Sequence, residues 1–184
     1  MMGIIEPAVA ARRLRERLAT TESARQRGML ETLIEHLEAE EAMSLDGLLA
    51  TLAPEPEYHL WANGADYGPK SRDAVAAYYT QLVVDNRAVL EFDIERIVVD
   101  DKCVVTEGWI RAINKGAIAK ARGWIIDDAD ADYLVTQRVV IFWPFNDAGQ
   151  MVGEDGYSTL DPRAVRALDK SELPESYTAR AASV

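Results

Sequence analysis

The spacing of apolar residues divides the chain into a helical first half and a strand-rich second half. Leu30, Leu33, Ile34 and Leu37 fall at i, i+3, i+4 and i+7, with Glu31, Glu35, Glu38, Glu40 and Glu41 elsewhere on the wheel. This predicts an amphipathic helix from Gly28 to near Ala42. Ser44 supplies a cap for a second helix bearing Leu45, Leu48, Leu49 and Leu52, closed by Pro54 and Pro56. Ser71 caps a third, with Val75, Tyr78, Tyr79 and Leu82 on one stripe and an end near Asn86. Between them, Glu57 to Trp61 reads as a short aromatic strand followed by a turn-rich loop over 62–69. A short helix around 8–18, with Val9, Leu14 and Leu18 on one side, precedes them all.

After residue 88 the period falls to two. Leu90, Phe92 and Ile94 alternate with Glu91, Asp93 and Glu95, and long strands are predicted over 89–99, 103–113, 133–145 and 150–159. Asp100-Asp101-Lys102 and Asn146-Asp147-Ala148-Gly149 supply the turns of this meander, whose alternation implies one buried and one wetter sheet face. The stretch 114–132 is longer than a hairpin turn needs and reads as an extended hairpin or a mobile flap. Asp161-Pro162 predicts a terminal helix to about Lys170, with 171–184 as a loose tail. The whole is an α+β chain with three expected parts: a basic helical extension over 1–24, one domain over 25–160, and a short helix and tail over 161–184.

At 184 residues, with 48% hydrophobic and 28% charged positions, the chain can bury a sizeable core. A formal charge of −11 is a poor match for phosphate backbones or anionic lipid heads, so neither nucleic acid nor a membrane is an expected partner. Six arginines stand against three glutamates in residues 1–30, and this head is expected to pack on the chain's own acidic surface or on a second subunit. Cys103, the sole cysteine, lies in an apolar run and reads as a small strand hydrophobe. The first residues lack the charged and apolar regions of a secretory signal, and no apolar run nears the roughly 20 residues of a bilayer span, so a cytoplasmic location is expected.

The order helix, helix, short strand, loop, helix and four meandering strands resembles the nuclear transport factor 2-like superfamily, in particular its SnoaL-like branch. Gly68-Pro69-Lys70-Ser71-Arg72-Asp73-Ala74-Val75 is similar to that family's entry to its third helix. Asn146-Asp147-Ala148-Gly149-Gln150-Met151-Val152-Gly153-Glu154 is similar to its last hairpin, and the resemblance covers roughly residues 25–160. It implies a cystatin-like cone, an α+β barrel in which a curved antiparallel sheet wraps around helices and leaves one deep hydrophobic pocket. Polyketide cyclases, ketosteroid isomerase, epoxide hydrolases and dehydratases share that shape with non-catalytic binding and dimerising domains, so fold alone does not assign chemistry.

Enzymes of this shape work by acid–base chemistry, with a carboxylate or histidine in a dry cavity and a second donor for the developing charge. On the last strand Glu154 shares a face with Val152 and Gly156, while Asp155 and Tyr157 share the other. In cyclases and epoxide hydrolases of the family an acid stands near the position of Gly156, so Glu154 is the nearest same-face candidate base, with Asp155 and Tyr157 the alternative for the opposite phase. Glu154 reads equally well as a surface residue beside a turn. His59 is the acid–base candidate on the short strand, weighed against a hydrogen-bonded strand-edge histidine. Glu107, Trp109 and Arg111 share a face, facing Gln137 or Arg138, where a cross-sheet carboxylate–guanidinium pair is structural more often than catalytic. His36 reads as a surface or packing residue.

The expected catalytic set is therefore His59, Glu154, Asp155, Tyr78 and Arg111, the last two as oxyanion donors. Trp61, Asn63, Tyr79, Trp109, Phe142 and Tyr157 are the expected ligand contacts. No metal is expected: Asp128-Ala129-Asp130-Ala131-Asp132 begins like a calcium loop but has Tyr133 where glycine is needed and Val139 where glutamate is needed, and the two histidines form no zinc set. No cofactor is expected either. The sequence reads as a small-molecule enzyme, a cyclase, isomerase, dehydratase or hydrolase, acting on a small hydrophobic molecule and forming a homodimer through the outer sheet face. The alternative is a non-catalytic binding or dimerisation domain of the same fold.

Overall fold

Three serines begin helices, two of them, Ser44 and Ser71, as the sequence anticipates. In the structure, a computed structural model that describes residues 4–62 and 64–181, Ser23 Oγ accepts from Gln26 N, Ser44 Oγ from Gly47 N and Ser71 Oγ from Ala74 N. They open α2 (Ala24–Glu41), α3 (Leu45–Ala50) and α4 (Arg72–Val84), and α1 (Val9–Ala19) precedes them. The first amphipathic helix thus starts four residues before Gly28, at the cap that Ser23 provides. Ser44's helix stops at Ala50, and Leu52 instead opens strand β1 (Leu52–Ala62), which runs through Pro54 and Pro56. The strand accommodates both prolines because its register slips between Leu52 and Glu57 and its other edge is paired only at Trp61 and Ala62, with β2 (Ala65–Asp66).

The meander is present as β3 (Leu90–Val99), β4 (Cys103–Lys115), β5 (Asp132–Pro144) and β6 (Met151–Thr159). Among the described residues the sheet has seven strands in the order β2-β1-β6-β5-β4-β3, with β7 (Val165–Leu168) beside β6 on β5. It is curved and unclosed, and only β1 and β6 pair in parallel. Leu14, Met29, Leu33 and Val75 of the helices meet Phe92, Val104, Ile141 and Trp143 of the sheet in the main core. There the buried Trp143 Nε1 donates to Thr106 Oγ1 at 2.9 Å.

Three further expectations are corrected. The 114–132 stretch is neither an extended hairpin nor a flap: it folds into α5 (Gly116–Ala121), anchored by the buried Ala119 and Trp124. The helix expected from Asp161-Pro162 is a turn leading into β7; Asp161 Oδ1 accepts from Arg163 N, and the alternation of Val165 to Leu168 then extends along β5. The expected loose tail carries α6 (Glu175–Ala181), fastened by Tyr177, which is buried and donates to Asp132 at 2.6 Å. The arginine-rich head packs on the chain's own surface. Arg15 pairs with Glu38, Arg12 with Glu6 at 2.5 Å, and Arg25 donates to the carbonyls of Asn146 and Asp101 in two sheet turns. No helix among the described residues is long and apolar enough to cross a membrane.

Gly108 marks where β3 and β4 come closest. The register slips between Ile94 and Arg96, and a Cβ on Gly108 would stand 2.1 Å from the Asp93 carbonyl oxygen. Gly108→Ala should therefore lower stability by at least about 2 kcal/mol, as overpacking against backbone does. Urea denaturation measures this, and an unchanged midpoint would show that the strands yield without cost.

Candidate functional site

Between the helices and the sheet lies a cavity of about 450 Å³, with an adjoining lobe of about 130 Å³. Strand alternation builds its floor: Glu154, Gly156 and Ser158 of β6 and Gln137, Val139 and Ile141 of β5 face inward. Tyr78 projects from α4, and Arg122 and Trp124 close one wall from the segment after α5. Trp61, Tyr67 and Tyr157 border the cavity and remain substantially exposed, which marks its rim.

Two carboxyls share this space. Glu154 borders both lobes and Glu40, from the end of α2, borders the smaller one. Burial, reinforced by Glu40 and Asp155 nearby, pushes the Glu154 carboxyl up to about 8, and burial pushes Glu40 up to about 7. Neither accepts a hydrogen bond or ion pair from a side chain among the described residues. Gly156 makes room for the arrangement: a Cβ there would lie 3.3 Å from Leu60 Cδ2 and 3.8 Å from Glu154 Oε1. Glu154 thus reaches the space beside the position where the family resemblance leads one to expect an acid.

Two guanidiniums, Arg87 and Arg122, border both lobes. Arg87 lies 3.7 Å from Asp85 Oδ2, beyond hydrogen-bond length, and its Nε is buried without a partner. Arg122 is exposed along its side chain and stacks over Trp124 with its carbon 5.3 Å from the ring centre, while partial desolvation followed by the charge of Arg87 lowers it to about 10. Tyr78 feels both groups: burial raises its hydroxyl most, Glu154 and Glu40 raise it further, and Arg87 and Arg122 lower it, to about 12.

The sequence-expected residues divide between those that border the cavity and those that do not. Glu154, Tyr78, Tyr79, Trp61 and Tyr157 border the cavity or its lobe. His59 and Asp155 do not; they are register partners on the β1–β6 pair, and His59 Nδ1 contacts Asp66 Oδ2 at 2.8 Å and Lys70 Nζ at 2.7 Å. Burial raises the Asp155 carboxyl, and the hydrogen bond from Lys70 holds Asp66 far below its usual range. The structure therefore does not bring His59 to Glu154. Arg111 is paired with Glu91 at 2.5 Å, and Glu107 with Arg138 at 2.8 Å, a cross-sheet pair of the kind anticipated. Trp109, beneath the Arg138 guanidinium, and Phe142, edge-on to Tyr157, are exposed and do not line the cavity. Asn63 lies outside the described residues. His36 is a packing residue, fully buried, bonded to Thr51 at 2.8 Å and held neutral with its pKa lowered to about 4 by burial.

Sequence reasoning missed Glu40, Arg87, Arg122 and Trp124. Glu40 was detectable: with Leu33 and Leu37 it stands at i, i+4 and i+7, a carboxylate continuing an apolar stripe. Arg122 and Trp124 had no such signal, because their placement depends on α5 folding back over the sheet.

Residues 33–154 match the family profile of the SnoaL-like domain. Among solved structures, a protein named as a SnoaL-like polyketide cyclase from Shewanella denitrificans is similar with a TM-score of 0.58 at 11% identity, over 71% of this chain and 90% of that one. A like-named protein from Jannaschia matches with a TM-score of 0.57 at 15% identity, over 76% and 90%. A Mycobacterium tuberculosis protein in complex with estradiol-17beta-hemisuccinate matches with a TM-score of 0.52 at 17% identity, over 76% and 98%. No curated protein matches the sequence.

The raised carboxyls fix a pH dependence of stability. Each has a higher pKa in the fold than in the unfolded chain, so above about pH 4.5 the folded state keeps a proton that the unfolded chain has lost. Stability therefore falls as pH rises towards about 8 and levels off beyond. His36 acts in the opposite sense, but its contribution is complete by about pH 6.5. Between pH 6.5 and 8, Glu154→Gln should gain roughly 1–2 kcal/mol on the wild type, as one unmatched proton implies. Thermal melts at both pH values measure the difference, and parallel losses in the two proteins would contradict the assignment.

Proposed function

This chain belongs to the SnoaL-like domain family, and from that premise we propose that it is an acid–base enzyme acting on a small hydrophobic molecule held in the cavity. The observation that carries the reading is the enclosure of Glu154 and Glu40 together, without a cation on either, so that one carboxyl is poised near neutral pH. Glu154 takes a proton from a carbon next to a carbonyl, and the carbonyl oxygen gains negative charge as the enolate forms. The Tyr78 hydroxyl donates to that oxygen, and Glu154 returns the proton to the substrate at the same or a neighbouring position. Glu40 raises the proton affinity of Glu154 and thereby matches it to the task. A small hydrophobic ligand accords with the estradiol-17beta-hemisuccinate bound by the Mycobacterium tuberculosis protein of similar fold. His59, outside the cavity and tied to Asp66 and Lys70, steadies the β1–β2 hairpin in this scheme.

The test is deuterium exchange of the α-protons of 2-tetralone and related cyclic ketones in D₂O, followed by proton NMR. Wild type should accelerate exchange over buffer, Glu154→Gln should lose about 10²-fold or more, and His59→Ala should stay near wild type. Undiminished exchange in Glu154→Gln, or no acceleration of any ketone by wild type, would sink the proposal.

We further infer a homodimer through the outer sheet face, where Val98, Trp109, Phe142 and Tyr157 are all exposed. Phe142→Asp should convert the dimer to monomer in sedimentation velocity. A monomeric wild type would dispose of the inference.

A further inference from the structure

The guanidinium end of the cavity is unexplained by the proton-transfer chemistry. Most arginines with described partners answer a carboxylate on this acidic chain, as Arg12, Arg15, Arg96, Arg111, Arg138 and Arg166 do. Arg122 forms no ion pair among the described residues, and Arg87 has only the long approach of Asp85. Arg87 lies near enough to disfavour the charge on Arg122. Neither neutralises Glu154 or Glu40, although all four border the smaller lobe.

Unpartnered polar atoms gather in the same place. Trp124 is 4% exposed, borders both lobes, and its Nε1 has no acceptor. Asn114 is 1% exposed, borders the smaller lobe, and neither its amide nitrogen nor its oxygen has a partner. The Nε of Arg87 is likewise orphaned. Buried donors left without acceptors cost free energy each time the protein folds, and three such atoms around one cavity, the indole N–H of Trp124, the Asn114 amide nitrogen and the Nε of Arg87, mark a site that an acceptor completes.

We propose that Arg87, Arg122 and the indole N–H of Trp124 form an anion subsite, so that the cavity takes a hydrophobic ring compound bearing a carboxylate. The carboxylate accepts from the two guanidiniums and from Trp124, and the ring body lies along Tyr78 and Ile141 towards Glu154. Asn114 supplies a further donor and acceptor in the smaller lobe. A carboxylate suits guanidiniums because two oxygens meet paired N–H groups in one plane. This inference rests on the cavity being the ligand site, and it adds the class of ligand: a hydrophobic acid rather than a neutral hydrophobe.

The test compares two probes of equal size, 2-naphthoate and 2-naphthamide, by titration calorimetry at pH 7. Wild type should bind the acid about tenfold or more tightly than the amide, as charge-assisted hydrogen bonds imply. Added sodium chloride should weaken the acid alone, a comparison that needs no variant. Arg87→Gln and Arg122→Gln should each remove most of the preference while leaving amide binding within about twofold, and Glu154→Gln should retain it. Gly156→Leu, which fills the cavity beside Leu60, should weaken both probes. Equal affinity for the two probes, or equal losses in the glutamine variants, would overturn the anion subsite and leave the acid–base reading standing. Failure of both probes to bind wild type, or binding indifferent to Gly156→Leu, would overturn the subsite and remove the cavity as ligand site with it.

Discussion

The parallel pairing of β1 with β6 is the contact on which the cavity depends. An antiparallel meander could end at β6 as a free edge; here β1 returns from the helical half of the chain and lies alongside it, with Tyr58 against Glu154 and Leu60 against Gly156. The join places inward-facing residues of β6 opposite α2 and α4 rather than at a solvent-facing margin. Glu154 consequently faces Glu40 and Tyr78, residues more than 70 positions distant in sequence. Gly153, whose Cβ would collide with the Glu57 carbonyl oxygen at 1.8 Å, lets the two strands draw together.

Charge in the cavity is separated rather than cancelled. Glu154 and Glu40 share the smaller lobe with Arg87 and Arg122 without pairing with them, and Tyr78 feels the charge of both sets. A chain selected only for stability has little reason to leave such groups unpaired, since a desolvated charge without a partner costs free energy. With no cation on them the buried carboxyls keep a raised proton affinity and the guanidiniums stay available, which is the division of labour an acid–base site with an anchoring subsite requires.

The division into elements was largely readable from periodicity, because the amphipathic stripes of α2 and α4 and the alternation of β3 to β6 are local signals. The errors share one cause. Leu52 continues a helical spacing yet begins a strand, Val165 to Leu168 follow a helix-like Asp-Pro start yet add to β5, and residues 116–121 coil where no strong periodicity announces them. In each case a tertiary partner, β6, β5 or the sheet face, overrode local propensity. The candidate site was legible where strand parity governs it, as with Glu154, and Tyr78 followed from the α4 stripe. It was illegible where it depends on which face of β1 turns inward, as with His59, or on a connection folding back, as with Arg122 and Trp124.

The two margins of the sheet carry a further consequence. On one side the N–H-less Pro54 and Pro56 break up the outer edge of β1; on the other, α1 packs against β3 and the Glu6 amide bonds Glu91 of that strand. Neither margin offers the long run of free N–H and C=O groups on which a foreign strand adds itself. The N-terminal head, read from sequence only by its charge, thus also covers part of the β3 margin of an open seven-stranded sheet.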